Sequence, residues 1–504
     1  METADGGLKA WTLHYSEKDI PVMSWGSVVD LQERSIKTYT GAWVEVFENG
    51  VIEGCHSGAQ IIEDVLDSEF CLATGFIHRD HKTTFFTASH TLDPLYYIQH
   101  HHHIYISNSL PFVLAMSGRT LKDDYPYYAA DFSYIQNHVE KAPLDQGHLN
   151  IAYNINLVVH NNDLKTEKKK SCKSFGDFQS YAETLEIVLE KTAKNAVLSD
   201  RKQQFTPITT ISSGYDSVCV TALGKKVLGG DLKEALTIRD AGKNLGDDND
   251  SGVQNAEYLG LDSYEIGRFD YKTDQKNELL FSVIGAPQDI SLGILRERLQ
   301  GTFLLRGDHG DSAWSYNVAP GGFRRIDPAG VNCNEFRHHV GFINVPLAFL
   351  GIEHHADLIR IAKSAEMAPW RLNNAYDRPV ARKIGEDMGV SRASFGQQKK
   401  ATAVSDFDTA YFSDDLADIL QQRWKRYKNE HKAQIVIGTL LHKAFHLQSF
   451  AINKMNSLIR RLGYKNFNFK RRFISRRYVR PISQWSFLGQ WSTQEIIKEF
   501  YKDI

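Results

Sequence analysis

The residues best suited to chemistry lie in a short polar segment, residues 212–217 (SSGYDS). An apolar stretch before it predicts a buried strand, and the pattern after it predicts a helix. A strand, a loop of small residues and a helix direct backbone N–H groups and the positive helix end at an anion. We therefore expect the loop to bind phosphate oxygens, with the small residues Ser212, Ser213 and Gly214 allowing them to approach the backbone. A Ser-capped strand-to-helix turn is the alternative interpretation.

Two aspartates are candidates for a metal ion. Asp216 lies in the first loop, and Asp311 lies in a second Gly-rich loop, residues 307–312 (GDHGDS), which follows another apolar stretch. Loops at the carboxyl ends of parallel strands gather at one edge of a sheet, where ligands bind. Carboxylates are suitable ligands for Mg²⁺. The two aspartates are thus expected to converge on one Mg²⁺–pyrophosphate group, the alternative being a solvated Gly/Asp turn.

The elements that must position these loops alternate between strand and helix. Apolar runs predict strands at 205–211, 235–238, 263–266 and 302–305, and helices at 218–223 and 253–259. This alternation indicates a parallel, doubly wound α/β sheet. Short strands dominate before residue 160, a lysine-rich linker is predicted at 165–173, and a helix at 181–197. Beyond about residue 340 the pattern is mostly helical, with an apolar core segment at 342–352.

Composition limits the class of protein. A chain of 504 residues predicts two or three domains, and a net charge of -2 does not favour a nucleic-acid partner. Five scattered cysteines predict neither a disulfide framework nor a structural zinc site. We identify no signal peptide and no apolar run near the roughly 20 residues that span a bilayer. A cytoplasmic location is expected.

In order and spacing these segments resemble the glutamine-dependent asparagine synthetases and their relatives, whose loop reads Ser-Gly-Gly-x-Asp-Ser. Residues 86–97 resemble the family's Pro-Leu-Tyr-Tyr hairpin, 104–109 the strand after it, 147–149 its Pro-Gly-His turn, and 398–400 its Arg-x-Lys segment. The resemblance covers roughly residues 40 to 402. It implies an Ntn-hydrolase-like αββα domain at 1–172, an ATP-pyrophosphatase domain (adenine nucleotide alpha hydrolase-like) at 173–405 and a helical basic extension at 406–504.

The resemblance also implies roles for further residues. Lys400 or Lys399 would stabilise charge on an adenylate, and Asp308 would be the base for an attacking amine. Ser212, Gly214 and Ser217 would surround the pyrophosphate of ATP. Gly307 would lie beside the nucleotide, and Arg382 would contact phosphate. The sequence alternatives are a solvated loop acid for Asp308 and an exposed helix arginine for Arg382. Thr237 and Ile238 would flank adenine, although a plain core strand explains Ile238 as well.

Three departures from the family pattern bear on function. Glu2 follows Met1, where family glutaminases need a cysteine whose α-amino group serves as base, and the first cysteine is Cys55. The first domain therefore resembles a glutaminase that has lost its chemistry, as in β-lactam-forming synthetases and lasso-peptide cyclases. Ser213 replaces a glycine at the phosphate approach, and Ser312 replaces a carboxylate.

The function implied is an ATP-dependent synthetase that adenylates a carboxylate, releases pyrophosphate and AMP, and forms an amide with an amine. The alternatives are an ammonia-dependent amidotransferase acting on a sugar acid or amino acid, and a non-catalytic scaffold. A homo-oligomer is expected.

Three further features have no role in that chemistry. Ten basic residues between 454 and 480 occur without an acid, which suggests an acidic carrier or peptide partner; the alternative is a patch that balances acidic surface elsewhere. The run from His100 to His103 predicts a solvated turn, because neighbouring strand residues face opposite ways and four in a row do not converge on one ion. His354 and His355 are expected at the surface.

Overall fold

The computed structural model describes residues 10–160, 162–240, 250–273, 277–285, 287–318, 321–325, 329–374, 376–394, 409–462 and 483–504. The predicted residues Glu2, Lys399 and Lys400 lie outside these ranges. The described residues form three β-sheets of seven, six and five strands.

The first two sheets lie before residue 170. Their strands are β1 (Thr12–Glu17), β2 (Trp25–Asp30), β3 (Ser35–Thr40), β4 (Glu45–Phe47), β5 (Gly50–Glu53), β6 (Thr74–Arg79), β7 (Lys82–Phe86), β8 (Leu95–His100), β9 (His103–Ser107), β10 (Val139–Pro143), β11 (His148–Ala152), β12 (Ile155–His160) and β13 (Asp163–Lys168). Helices α1 (Leu110–Ser117) and α2 (Tyr128–Asp131) lie between β9 and β10 in sequence. The strand orders are β1-β3-β2-β9-β8-β11-β10 and β13-β12-β7-β6-β5-β4.

The two sheets share an apolar core. Trp25 of the first sheet stacks on Phe85 of the second, with ring centroids 6.4 Å apart, and both side chains are fully buried. The predicted β-rich domain is therefore present as two packed β-layers, and its assignment to the Ntn-hydrolase type stays a prediction. The linker predicted at 165–173 is wrong in its first part, which forms β13. This strand lies at a sheet edge, where exposed lysines hinder pairing with other chains.

The third sheet confirms the predicted parallel α/β architecture. Its elements are α3 (Phe178–Ala196), β14 (Thr206–Thr210), α4 (Tyr215–Leu228), β15 (Glu234–Arg239), α5 (Val253–Tyr258), β16 (Asp262–Gly267), α6 (Arg296–Leu299), β17 (Thr302–Arg306), α7 (Gly310–Ala313), α8 (Asn334–Val340), β18 (Phe342–Pro346), α9 (His355–Lys363) and α10 (Pro379–Asp387). The strand order is β16-β15-β14-β17-β18, and all neighbours are parallel.

The chain reverses its direction across this sheet between β16 and β17, when it crosses back to the other side of β14. Strands β15 and β16 extend it on one side, and β17 and β18 extend it on the other. Such a switch point opens a crevice at the carboxyl ends of the two central strands. The first loop follows β14 and the second follows β17, so both predicted loops lie at this crevice.

Three long helices complete the described chain: α11 (Asp414–Glu430), α12 (Lys432–Arg461) and α13 (Gln484–Phe500). Within α12, residues Lys432–Ile459 are long and apolar enough, by length and composition alone, to cross a membrane, and 6% of the most apolar window is buried. The expectation that no apolar run approaches such a length is therefore wrong. Lys443 and two histidines lie among the apolar residues of this segment and obscured its length in the sequence.

The β-layers and the parallel sheet are joined by buried charges. Arg337 of α8 donates to Glu53 of β5 over 2.5 Å, and its Nε lies 3.1 Å from Asp93. Burial raises the pKa of both carboxyl groups, and the charge of Arg337 opposes that rise. Further on, Tyr501, just after α13, stacks on Phe112 of α1 at 4.7 Å. The segment just after α13 therefore packs against α1, the helix that follows β9.

Candidate functional site

The first loop is folded on itself by its serine hydroxyls. The Ser212 N–H donates to the Ser217 hydroxyl at 3.0 Å, the two hydroxyl oxygens lie 2.9 Å apart, and the Gly214 N–H donates to the Ser212 hydroxyl at 3.0 Å. Gly214 is the N-cap of α4 and supplies no side-chain cap. The loop thus places an uncapped helix N-terminus at the crevice, an arrangement that favours an anion.

Ser213, which occupies a position where the resemblance implies a glycine, has a structural role. Its hydroxyl donates to Oδ1 of Asp250 at 2.6 Å, and its N–H donates to the Asp250 carbonyl at 3.2 Å. Asn255 of α5 donates to the Ser212 carbonyl at 3.0 Å. The serine side chain therefore ties the loop to the segment that leads into α5.

The second loop packs directly against the first. A Cβ atom at Gly310 would lie 2.4 Å from Cγ of Asp216, and one at Gly307 would lie 2.6 Å from the backbone nitrogen of Ser217. Both distances are shorter than any real Cβ contact, so a side chain at either position would push the loops apart. The two predicted loops are therefore in contact, and their glycines allow it.

Arg378, which the sequence interpretation missed, interacts electrostatically with both aspartates. It precedes Pro379, the first residue of α10, and donates to Oδ2 of Asp216. Burial disfavours its charge, but Asp216, Tyr376 and Asp311 outweigh that effect and raise its pKa. Asp216 and Asp311 thus both act on one buried guanidinium group. An Arg-Pro pair at the start of a helix is the sequence signal that could have identified Arg378.

Arg382, the predicted phosphate contact, lies one turn further along α10. It is fully buried, so the alternative interpretation as an exposed helix arginine is wrong. Its guanidinium donates to the Tyr215 hydroxyl at 2.5 Å and to the Trp370 carbonyl. Arg382 therefore fixes the position of Tyr215, the first residue of α4.

Asp308 lies in the second loop but is not a solvated loop acid. Its Oδ2 is 2.7 Å from Nε of Arg306, which also reaches Asp289 at 3.1 Å, and the Asp308 side chain is 10% exposed. The alternative interpretation is therefore wrong, since a buried ion pair fixes this carboxylate.

Thr237, predicted beside adenine, is also fully buried, and its hydroxyl accepts the Gly252 N–H at 2.7 Å.

Two histidines help to fix the second loop: His309, which belongs to it, and His355, which bonds to it. His309 adopts φ 70° and stacks on Phe349 at 4.2 Å, and burial lowers its pKa to about 4. His355 bonds through Nε2 to the carbonyl of Ser312 at 2.8 Å and is 5% exposed. The expectation that His355 lies at the surface is therefore wrong, because the start of α9 packs beneath the loop.

The first domain holds its earliest cysteine in an unreactive environment. Cys55 is fully buried just after β5, and burial raises the pKa of its thiol to about 12. A thiol in this state has almost no thiolate, which is the nucleophilic form. Cys55 thus does not replace the nucleophile that the resemblance requires.

Comparisons with known proteins add little to this geometry. No family model and no curated protein matches the chain. The U34-tRNA thiolase NcsA of Methanococcus maripaludis, solved with its [4Fe-4S] cluster, is 12% identical over 44% of this chain and 74% of its own, with a TM-score of 0.20. The glutamine-dependent NAD+ synthetase of Acinetobacter baumannii, solved with ADP, is 15% identical over 69% of this chain and 56% of its own, with a TM-score of 0.23. At these TM-scores neither likeness carries an argument.

Proposed function

We propose that the chain binds ATP with Mg²⁺ at the crevice between β14 and β17 and forms an amide through an acyl-adenylate, without hydrolysing glutamine. The observation that carries this proposal is the contact between the two loops. It brings an uncapped helix N-terminus, two carboxylates and a buried arginine to the switch point of a parallel sheet. These are the groups that a phosphate chain and its counter-ion require.

The residues present fit a magnesium nucleotide. Asp216 and Asp311 offer oxygen ligands of the kind that Mg²⁺ prefers, and a bound ion would neutralise pyrophosphate charge. Arg378 adds a fixed positive charge beside them. Ser212, Gly214 and Ser217 would line the phosphate site at the start of α4. Thr237 and Ile238 lie on the neighbouring strand β15, and Gly307 supplies the close approach of the second loop.

The proposed reaction consists of two successive displacements. A substrate carboxylate oxygen attacks the α-phosphorus of ATP, and the bond to the β-phosphate oxygen breaks to release pyrophosphate. The nitrogen of an amine then attacks the acyl carbon, the bond to the AMP oxygen breaks, and the amine proton passes to a base. Asp308 stays our candidate for that base. Catalysis here consists of positioning and charge stabilisation.

The first experiment measures binding of a non-hydrolysable ATP analogue with Mg²⁺ by thermal unfolding. At a ligand concentration about 100-fold above Kd, the unfolding free energy should rise by about 2.7 kcal/mol. Asp216→Asn and Asp311→Asn should each lose most of the Mg²⁺-dependent rise. Asp262→Asn is the matched control, because Asp262 is an exposed acid at the opposite, amino end of the same sheet.

The outcomes separate the candidate functions. A rise that depends on both aspartates supports nucleotide binding at the loops, and AMP release that requires an organic amine rather than ammonium supports amide synthesis. No rise in the wild-type protein contradicts the proposal and favours the non-catalytic scaffold. An equal loss in Asp262→Asn would show that the effect is not specific to the crevice.

A further inference from the structure

The histidine run from residues 100 to 103 does not behave as four equivalent side chains. His101 adopts φ 54° and forms, with His102, the turn between β8 and β9. The His102 carbonyl accepts the Leu31 N–H at 2.9 Å, which ties the turn to the end of β2. His103 lies directly opposite Asp30 in the antiparallel pair of β9 with β2. Because His102 belongs to the turn, strand alternation does not separate it from His103, and the argument against convergence is wrong for this pair.

The Asp30 carboxylate is oriented toward both imidazoles. Its Oδ1 accepts the N–H groups of Gln32 and Glu33, each at 2.9 Å. Its Oδ2 lies 3.3 Å from Nε2 of His103 and 4.0 Å from Nε2 of His102. The backbone therefore holds one carboxylate oxygen and presents the other to the two rings.

We propose that Asp30, His102 and His103 form a binding site for one late first-row divalent transition metal ion, such as Zn²⁺, Co²⁺ or Ni²⁺. One ligand atom from each residue lies within 4.8 Å of the others. Imidazole selects these metals, whereas Mg²⁺ and Ca²⁺ take oxygen ligands. Three protein ligands leave a coordination position for water, as in open zinc sites.

The distances suit such an ion. Ligand atoms in a tetrahedral site are about 3.3 Å apart when the metal–ligand bonds are about 2.0–2.1 Å long. The distance from Asp30 to His103 already has this value, and the distance from Asp30 to His102 needs to shorten by about 0.7 Å. The side chains of His102 and His103 are 43% and 32% exposed, so their rings are free to make this adjustment.

The other two histidines of the run are excluded from the site. Nε2 of His100 is held at 3.1 Å by Arg119, which also donates to Gln146 at 2.6 Å. His101 is not among the residues whose ligand atoms lie within 4.8 Å of one another. Metal binding by Asp30, His102 and His103 can therefore be distinguished from nonspecific binding by the histidine run, because nonspecific binding would involve all four histidines equally.

The test is a titration of the full-length protein with Co²⁺, followed by its visible absorption, and with Zn²⁺ by calorimetry. Wild type should bind one ion that is lost, or weakened at least about tenfold, in Asp30→Asn, His102→Ala and His103→Ala. The double variant with His100→Ala and His101→Ala is the matched control and should bind within about twofold of wild type. Asn at position 30 keeps an oxygen that can accept the two turn N–H groups, so the loop should stay folded.

Three results would overturn this inference. They are no binding by wild type, unchanged binding by Asp30→Asn, and an equal loss in the control that removes His100 and His101. Thermal unfolding of each variant without metal checks the fold, and equal midpoints assign any loss of affinity to the lost ligand. Nucleotide plays no part in this titration, so the result is independent of the synthetase proposal.

Discussion

Substituting Gly310 by alanine should separate the two loops. The new Cβ would lie 2.4 Å from Cγ of Asp216, whereas carbon atoms in contact prefer about 3.5 Å, so the loops must part by about 1 Å. A displacement of about 1 Å in a positioned site costs on the order of a hundredfold in function. Overpacking should also lower the unfolding free energy by about 1–3 kcal/mol.

The assay is calorimetric titration with the ATP analogue and Mg²⁺, alongside urea unfolding. Gly230→Ala is the control, since Gly230 follows the other end of α4 and a Cβ there meets no atom within 4 Å. It should bind as wild type does and change the unfolding free energy by no more than about 0.5 kcal/mol. If Gly310→Ala binds the analogue as tightly as wild type, the loop contact does not form the nucleotide site and the reasoning fails.

Two further predictions concern stability. Arg337→Met should lower the unfolding free energy by about 3–5 kcal/mol because it leaves Glu53 and Asp93 buried without their cation. Lys82→Met, which breaks an exposed pair, should cost no more than about 1 kcal/mol in the same urea titration, and equal losses would contradict this account. His309 has a folded pKa of about 4, below its usual value near 6.5, so the folded state binds fewer protons between these values. Stability should therefore fall as pH drops from 6.5 to 4, by about 3 kcal/mol for this residue, and His309→Gln should lose less over that range; identical profiles would refute the assignment.

Much of the parallel sheet could be predicted from the sequence, because the residue patterns that mark its strands and loops each span only a few positions. Apolar runs ending in small polar residues predict strands that lead into loops, and the predicted strands at 235–238 and 302–305 fall within β15 and β17. The glycines at 307 and 310 also carry information, since each marks a close approach. By contrast, β13 and the apolar length of α12 were misjudged, because lysines at a sheet edge and within an exposed helix obscure the pattern.

The sequence by itself determined which segments carry the loops, because strand and helix periods and turn residues act over a few positions. It also determined that Asp216 and Asp311 each follow a buried strand. Tertiary structure alone decided that Arg378, 162 positions after Asp216, reaches its carboxylate. It likewise decided that Arg382 faces Tyr215 rather than solvent, and that Asp30 meets two histidines of another hairpin. Such pairings depend on how layers pack and on strand register, which no local pattern encodes.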